Sequence, residues 1–288
     1  MANPVTSASL YAGEAGAYIG AAVLSGKTLS EGNVTIKEGV KKAIALTVVS
    51  DGGLIEANDC AFDANTMTFT DRMLTPTDKK LNLELCATDL EKDWQAAQMK
   101  AGSNNSAMSS DFNAFLMGYL GEAIGSNIES QIWSDLKTAA TADSDVTDVT
   151  GTTLDASNIL TEIGKVRDAV SATVWGKDDL KYYCGTNAIR FYMTKMATQG
   201  YLNAYQAADI PLMYEGVELV HAPGMAADTI IASRVSNLFV GTDLLSDAVN
   251  FKVIDMRETT GANSIRIAAN FAFGANHAVG GDVVLYSS

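Results

Sequence analysis

The chain has 288 residues, of which 47% are hydrophobic, and its 20 basic and 34 acidic side chains give a net charge of −14. This length and apolar content suffice for one large domain or two smaller ones with real cores, and they exclude an intrinsically disordered protein. The net negative charge argues against a protein that binds the phosphate backbone of nucleic acid, because such binding requires clustered Lys and Arg. The densest basic spots are two pairs, Lys41-Lys42 and Lys79-Lys80.

The three cysteines, Cys60, Cys86 and Cys184, lie far apart in the sequence and form no close pair. A scattered, odd set predicts a reducing compartment and small buried residues, not a disulfide framework or a zinc site. The first apolar run, Ala17–Leu24, follows Glu14 without a basic flank. It therefore lacks the flanks of a signal peptide, and it is far shorter than the ~20 residues that a membrane span requires. We therefore expect a soluble protein that is intracellular where it is made.

Residues 1–32 are small, rich in Gly and Ala and weakly patterned, which predicts an extended arm ordered by packing on another surface. This segment contains a match to a loosened phosphate-loop pattern, Ala21–Thr28. Such a loop needs a buried strand before it and a helix after it, so that backbone N–H groups meet the phosphates. The flanking residues favour neither element, and a flexible turn in the arm is the preferred interpretation.

Strand character dominates the next part of the chain. Val34–Val49 is rich in β-branched residues. Between 63 and 87, two strand-like runs flank the turn sequence Thr-Pro-Thr-Asp at 75–78. The second run, Leu81–Leu85, alternates apolar and polar residues, which indicates a strand with one wet face. Together these runs predict an extended β-hairpin over Thr66–Cys86.

A single long helix is predicted from about 108 to 138, after a shorter amphipathic helix over Asp89–Lys100. Its apolar residues occupy positions 112, 115, 116, 119, 120, 124, 128, 132 and 136. This three-and-four spacing defines one helical face, and the helix would be ~45 Å long at ~1.5 Å per residue. Gly118, Gly121 and Gly125 disfavour a helix interior, so they predict either the close approach of a packing partner or a bend.

The second half alternates helices and strands after a low-complexity acidic stretch, 138–156, which predicts a surface loop or domain boundary. Helices are predicted over Ser157–Val174 and Asn187–Gly200, the second with Asn187 as its cap. The predicted strands are Leu180–Cys184, Val217–His221, Asp228–Arg234, Leu238–Gly241, Phe251–Arg257, Ser264–Gly274 and Asp282–Tyr286.

No arrangement of residues points to catalysis. His221 and His277 lie in or beside predicted strands without a second ligand at metal-binding spacing. The sequence has no Gly-x-Ser-x-Gly elbow, and no cysteine has a histidine nearby in sequence. The motifs of the sequence therefore predict no catalytic residue, no metal site and no cofactor.

The order of the predicted elements resembles that of the major capsid proteins of tailed bacteriophages, which have the Hong Kong 97 fold. The resemblance depends on the predicted hairpin Thr66–Cys86, the helical run Asp111–Trp133, and the closing strands from Val217 to Tyr286. It covers nearly the whole chain as an arrangement of elements.

This resemblance implies an α+β chain with a Hong Kong 97-like capsid fold. Its parts would be an N-terminal arm, an extended β-hairpin loop, a long spine helix with peripheral β-strands, and an inserted α/β axial domain. The implied ranges are 1–32 for the arm, 33–107 for the hairpin loop region, 108–154 for the spine helix of the peripheral domain, 155–245 for the axial domain, and 246–288 for the closing strands of the peripheral domain.

The resemblance also implies a structural protein that self-assembles as hexamers and pentamers into an icosahedral head shell around double-stranded DNA, in the cytoplasm of a bacterial host. Scaffold, portal and decoration proteins would be its partners, without membrane contact or sequence-specific DNA binding. The hairpin would lie over an adjacent subunit, with the contact candidates Thr66, Thr68, Phe69, Arg72, Lys79 and Lys80. Two alternatives remain: an encapsulin-like bacterial nanocompartment shell, and a P-loop-type nucleotide-binding enzyme using Lys27 and Thr28.

Overall fold

The structure is a computed structural model that describes residues 27–51, 67–86, 110–199, 211–242, 252–256 and 260–287. Its helices are α1 (Lys27–Ser30), α2 (Ser110–Ala142), α3 (Ile159–Ala169) and α4 (Thr186–Thr198). Its strands are β1 (Thr35–Lys37), β2 (Ile44–Asp51), β3 (Met67–Leu74), β4 (Thr77–Cys86), β5 (Thr147–Thr150), β6 (Leu180–Cys184), β7 (Met213–Tyr214), β8 (Val217–His221), β9 (Ile230–Arg234), β10 (Leu238–Thr242), β11 (Lys252–Asp255), β12 (Ser264–His277) and β13 (Val284–Ser287).

The strands form three sheets. The five-stranded sheet has the order β1-β10-β12-β11, with β4 paired to the other edge of β12. The six-stranded sheet has the order β5-β13-β9-β6-β8-β7, and β2 and β3 form a separate two-stranded ribbon. Helices α3 and α4 share a hydrophobic core with the six-stranded sheet, whereas α2 packs on the five-stranded sheet and also reaches residues of the six-stranded one.

Strand β12 is the centre of the five-stranded sheet. It pairs antiparallel with β4 over ten residues, and with β11 and β10 along its opposite edge. Buried and more exposed residues alternate along its first half, and Ile265, Ile267, Ala269 and Phe273 are all buried. A strand with one buried face requires such alternation. The predicted strand is confirmed and continues three residues further than expected, to His277.

The long helix predicted from 108 to 138 is confirmed as α2, which continues to Ala142. Ile124, Ile128, Ile132 and Leu136 lie on one face, and each is buried. The helix passes through its three glycines without interruption. No described atom lies within 4 Å of the position that a Cβ would take at any of them, so the predicted close approach is not found within the described part of this chain. None of the described helices is both long and apolar enough to cross a membrane.

The predicted hairpin over Thr66–Cys86 is wrong in its pairing. Both strands exist, but β3 pairs with β2 and β4 pairs with β12. A tight hairpin turn needs positive φ at its central residues. Proline fixes φ near −65°, and among the described residues Glu215 is the only non-glycine with positive φ. The link Thr75-Pro76 therefore passes the chain from one sheet to the next, and the projecting ribbon is β2–β3 instead.

The predicted domain ranges also do not coincide with the sheets of the structure, because some strands join a sheet that belongs mainly to another range. β13 lies within the predicted closing strands of 246–288, yet it pairs with β9 and β5 in the six-stranded sheet. β10 lies within the predicted axial range, yet it joins the five-stranded sheet. β5 forms inside the stretch predicted to be a loop. Sheet membership depends on pairing between strands distant in sequence, which local pattern does not reveal.

The two helices of the second half are confirmed with shorter bounds. Helix α3 ends at Ala169, before the β-branched residues that disfavour its continuation. Helix α4 begins one residue before Asn187, whose side chain instead donates to Asp228 Oδ1 at 3.0 Å. Gly185 precedes the helix as its cap. The helix predicted over Asp89–Lys100 lies outside the described residues.

We predict that Gly274→Ala destabilises the fold. A Cβ at Gly274 would lie 2.4 Å from the Thr75 carbonyl oxygen, where the chain crosses from β3 to β4. Backbone cannot move aside cheaply, so the free energy of unfolding should fall by about 1–3 kcal/mol. Urea unfolding of the unassembled protein measures it. Gly281→Ala is the matched control, because a Cβ there meets nothing within 4 Å, and equal stability of both variants would contradict the crossing.

Candidate interaction site

The β2–β3 ribbon has one face made largely of exposed apolar side chains. The two strands pair in a continuous register from Ile44↔Leu74 to Asp51↔Met67. Alternate residues of a strand face opposite sides, so the outer face includes Val49, Met67, Phe69 and Met73. Their exposed fractions are 49%, 51%, 66% and 52%. We call these four residues the ribbon face.

Such a face is unusual for an isolated molecule. A two-stranded ribbon is at best marginally stable in water, and exposed apolar clusters mark contact sites. The register places Val49 directly opposite Phe69, and Thr47 donates a hydrogen bond to Asp71 at 2.6 Å beside them. The ribbon is therefore ordered internally, while its apolar face lacks a cover within the described part of the chain.

The base of the ribbon is fixed by burial of its opposite face. Leu46 and Leu74 are buried, and Leu74 is inaccessible to solvent. Gly241 of β10 lies beneath Leu74: a Cβ there would be 3.1 Å from the leucine Cδ2. The lack of a side chain at Gly241 lets Leu74 pack closely, which anchors the ribbon to the five-stranded sheet.

A cluster of charged and titratable side chains lies at the same place, where the ribbon meets the five-stranded sheet. Arg72 of β3 pairs with Asp143, just after α2, at 2.5 Å between Nη2 and Oδ2. The Nε2 atom of His277, in β12, lies 2.9 Å from the same Oδ2 and 2.8 Å from Arg72 Nη1. A neutral imidazole can accept from Arg72 through Nε2, whereas a protonated one can donate to Asp143. The cluster joins the ribbon, the end of α2 and β12.

The two titratable members of this cluster have lowered pKa values for different reasons. Burial lowers the pKa of His277, and the charge of Arg72 adds to this, while the hydrogen bond and charge of Asp143 oppose it. Burial alone would raise the pKa of Asp143, but hydrogen bonds from His277 and from the Asp145 amide, together with Arg72, hold it below its usual range. The folded cluster therefore favours neutral His277 and ionised Asp143.

The predicted contact residues occupy three different environments. Phe69 belongs to the ribbon face and Thr68 is exposed on the ribbon, whereas Arg72 is engaged with Asp143 within its own chain. Lys79 and Lys80 lie in β4, away from the ribbon; Lys80 is exposed and Lys79 is half-buried. Thr66 lies outside the described residues.

Three members of the ribbon face were missed by sequence reasoning: Val49, Met67 and Met73. The alternation of Met67, Phe69 and Met73 with polar residues was visible, and it signals a strand with one apolar face. The missing information was the partner strand, because β2 adds Val49 from eighteen or more residues away in sequence.

Residues 21–26 of the candidate phosphate loop lie outside the described residues, and the two that are described, Lys27 and Thr28, do not form a recognisable phosphate site. Thr28 is buried, and its backbone N–H donates to Glu129 Oε2 at 3.1 Å, while its hydroxyl donates to Glu129 Oε1. The indole Nε1 of Trp133 lies 3.0 Å from the same Oε1 and 2.8 Å from Thr28 Oγ1. The groups that would meet a phosphate are thus committed to a buried carboxylate. The following helix, α1, has four residues.

The possible metal ligands and the cysteines show no sign of a functional site within the described residues. No group of three or more potential metal ligands occurs among the residues that the structure describes. Cys184 is buried in the six-stranded sheet, where burial raises the pKa of its thiol to about 12 and keeps it protonated. Cys86 is half-buried at the end of β4. Cys60 lies outside the described residues.

Comparison with solved structures gives nearly full-length matches to chains of phages and capsids. The capsid of cyanophage P-SCSP1u matches with a TM-score of 0.62 at 10% identity, over 97% of this chain and 92% of that chain. The capsid of an empty gene-transfer-agent (GTA) particle, computed with C5 symmetry, has a TM-score of 0.59 at 10% identity, over 94% and 92%. A chain from Mycobacterium phage Che8 has a TM-score of 0.56 at 10% identity, over 99% and 98%.

No protein-family model matches the sequence, and no curated protein does either. At about a tenth identity, the structural matches establish the fold alone. The chain has the mixed helix-and-sheet capsid fold of the Hong Kong 97 type, as predicted from its sequence.

We predict that His277 makes folding stability fall under mild acid. Its pKa is lower in the folded protein than the ~6.5 of an exposed histidine. The unfolded chain therefore binds the proton more readily, and stability is lost as pH falls from about 6.5 toward the folded value. His277→Gln should flatten this part of the curve, measured as urea unfolding from pH 7.5 to 5. An unchanged slope in the variant would contradict the assignment.

Proposed function

We propose that this chain is a major capsid protein, a structural protein that self-assembles into the icosahedral head shell of a tailed bacteriophage and encloses its double-stranded DNA. The observation that carries the proposal is the extent of the structural match. Three capsid or phage chains match over 94% or more of this chain and 92% or more of their own length. The likeness thus runs through the whole architecture, from the ribbon to the closing strands.

The exposed ribbon face supports this role physically. A shell subunit needs different surfaces that meet in a repeating, head-to-tail manner, so that copies close into rings. Here an ordered ribbon presents Phe69 and three neighbours to solvent, and burial of a whole apolar side chain is worth about 1.5–3 kcal/mol. In the proposed shell, the ribbon lies over an adjacent subunit and buries this face there.

The proposed role needs no catalysis, because burial of surface drives assembly. Hexamers and pentamers of the chain would form the shell, with scaffold, portal and decoration proteins as further partners. Its place would be the virion head, after assembly in the bacterial cytoplasm. The net charge of −14 favours enclosure of DNA without tight binding to it. We further propose that the ribbon is the extended loop, and that the five- and six-stranded sheets form the peripheral and axial domains.

Electron microscopy of the purified, expressed protein tests the proposal. At high protein concentration we expect rings, tubes or shells in negative stain. Dispersed monomers under all conditions of salt and concentration would overturn the proposal. Particles isolated from the native source distinguish a virus from an encapsulin-like nanocompartment: DNA and tail proteins indicate the former, and cargo enzymes the latter.

We predict that Phe69→Asp blocks assembly without unfolding the subunit. Because Phe69 is 66% exposed, its replacement should change the free energy of unfolding by less than about 0.5 kcal/mol. A carboxylate in the buried contact would, however, lose its hydration. Sedimentation velocity should show unassembled protein where the wild type forms large particles.

Thr70→Asp is the matched control for this substitution. Thr70 is also exposed on β3, but it lies on the opposite face of the ribbon, one residue away. It should assemble much more like the wild type. Normal particles from Phe69→Asp, or equal loss in both variants, would show that the ribbon face is not the contact.

A further inference from the structure

A second apolar feature, apart from the ribbon, lies at one end of the six-stranded sheet. Trp175 and Glu215 together separate two surface clefts of about 360 and 460 Å³. Met213 lines the first cleft, and Val170 lines the second. Trp175 is 42% exposed and Met213 is 49% exposed. We call Trp175, Met213 and Glu215 the Trp175 ridge.

The backbone of the ridge is held in place by specific contacts. Glu215 has φ +48°, an uncommon conformation for a residue with a side chain, and Arg167 Nη1 donates to its Oε2 at 2.5 Å. The hydroxyl of Tyr192 donates to the Met213 carbonyl at 2.6 Å. The conformation of Glu215 is the one that the tight turn between β7 and β8 requires, because Glu215 and Gly216 are its two central residues. A surface that is already ordered loses little conformational entropy on binding.

The ridge has the composition of an interface centre with an acidic rim. Tryptophan is enriched among the residues that dominate binding, surrounded by contacts that exclude water. The charged residues that line the two clefts are four acids and two bases, namely Asp168, Asp178, Glu215, Glu218, Arg167 and Lys177. Arg167 pairs with Asp168 and Glu215, and Lys181 pairs with Glu218, so Asp178 is the acid that has no ion pair within the described part of the chain. A partner surface should therefore be apolar at its centre and basic around it.

The outer face of α4 has these properties. Arg190, Met193 and Thr194 are exposed at helical spacing, and Met193 is 43% exposed. The helix sequence TNAIRFYMTKMAT contains two basic residues and no acidic one. An exposed methionine beside an arginine fits an aromatic ridge with an acidic rim, because methionine packs well against aromatic rings.

The ridge and the first turn of α4 lie at opposite ends of β8. Val217 and Glu218, at its start, line the first cleft. Thr186, the first residue of α4, has its Oγ1 3.2 Å from Nε2 of His221, the last residue of β8, so Arg190, one helical turn further along α4, lies towards that end. α4 reaches the ridge only with its buried face, through Tyr192, whereas Arg190, Met193 and Thr194 are exposed on its outer face. The outer face is therefore available to meet the ridge of a second molecule.

We propose that the Trp175 ridge of one copy packs on the outer face of α4 of the next copy, and that this head-to-tail contact closes the ring of the shell. The inference rests on the proposed function, and it adds the pair of surfaces that meet. Because the two surfaces differ, every copy offers one of each, which is the requirement for a closed ring.

A charge exchange tests the pairing directly. Asp178→Lys and Arg190→Glu change exposed residues, and each alone should raise the protein concentration needed for assembly at least tenfold. The double variant should recover most of the wild-type behaviour, because it restores opposite charges across the contact. Assembly is measured by sedimentation velocity and negative stain, and unchanged urea midpoints confirm folding.

Substitution of Trp175 is a second, independent test of the same contact. Trp175→Ala should weaken self-association at least about 30-fold, as expected for a dominant interface residue of about 2 kcal/mol, whereas Trp175→Phe should retain most of it. Wild-type assembly by both single charge variants and by Trp175→Ala would overturn this contact alone. A double variant no better than the worse single one would overturn the pairing with α4. A wild type that never assembles would instead overturn the proposed function.

Discussion

The packing of strand β12 against helix α2 is the constraint on which the rest of the structure depends. β12 pairs with β4, β10 and β11, so all three strands attach through it. Ile132 and Leu136 of α2 lie in the same hydrophobic core as Phe273 of β12. That core also contains Tyr183, from the six-stranded sheet, whose ring lies 5.0 Å from that of Trp133. One helix and one strand therefore join both sheets into a single frame.

The frame explains why some surfaces can remain apolar and exposed. Polar groups at its joints are satisfied within the chain: Glu129 accepts from Thr28, and Arg72 pairs with Asp143. Charged contacts of this kind orient the elements that they join more than they add to the free energy of unfolding. The four residues of the ribbon face, by contrast, lie outside the frame, and about half or more of the surface of each is exposed. Contacts within the chain thus set the orientation of the ribbon, and its apolar face stays exposed, as the proposed contact with an adjacent subunit requires.

Local pattern predicted the elements much better than their partners. The bounds of β6 and β8 agree with the predicted strands, because short apolar runs with clear ends need only neighbouring residues to be recognised. The spine helix was equally visible in its spacing. The partner of β4, however, lies about 180 residues away in β12, and Arg72 meets His277 across 205 residues. The periodicity of a segment does not reveal a partner strand that is so far away in sequence. The sequence pattern therefore predicts that β3 and β4 pair with each other, because they are neighbours in the chain. Phe69 is a contact candidate from the sequence alone, whereas Val49 can be recognised only once the register between β2 and β3 is known.

The exposed fractions of the ribbon face indicate how strong each contact can be. Complete burial of four large apolar side chains would be worth roughly 6–12 kcal/mol, but each is already about half-buried, so about half remains. Association of two proteins costs about 4–15 kcal/mol in lost freedom of motion. The ribbon face alone therefore barely offsets that cost, and a pair of copies joined only there would separate readily. A closed ring gives each copy two neighbours, and a second surface such as the Trp175 ridge adds to each contact. A subunit with several weak surfaces is thus stable in a closed assembly and reversible before closure, which allows misplaced copies to dissociate.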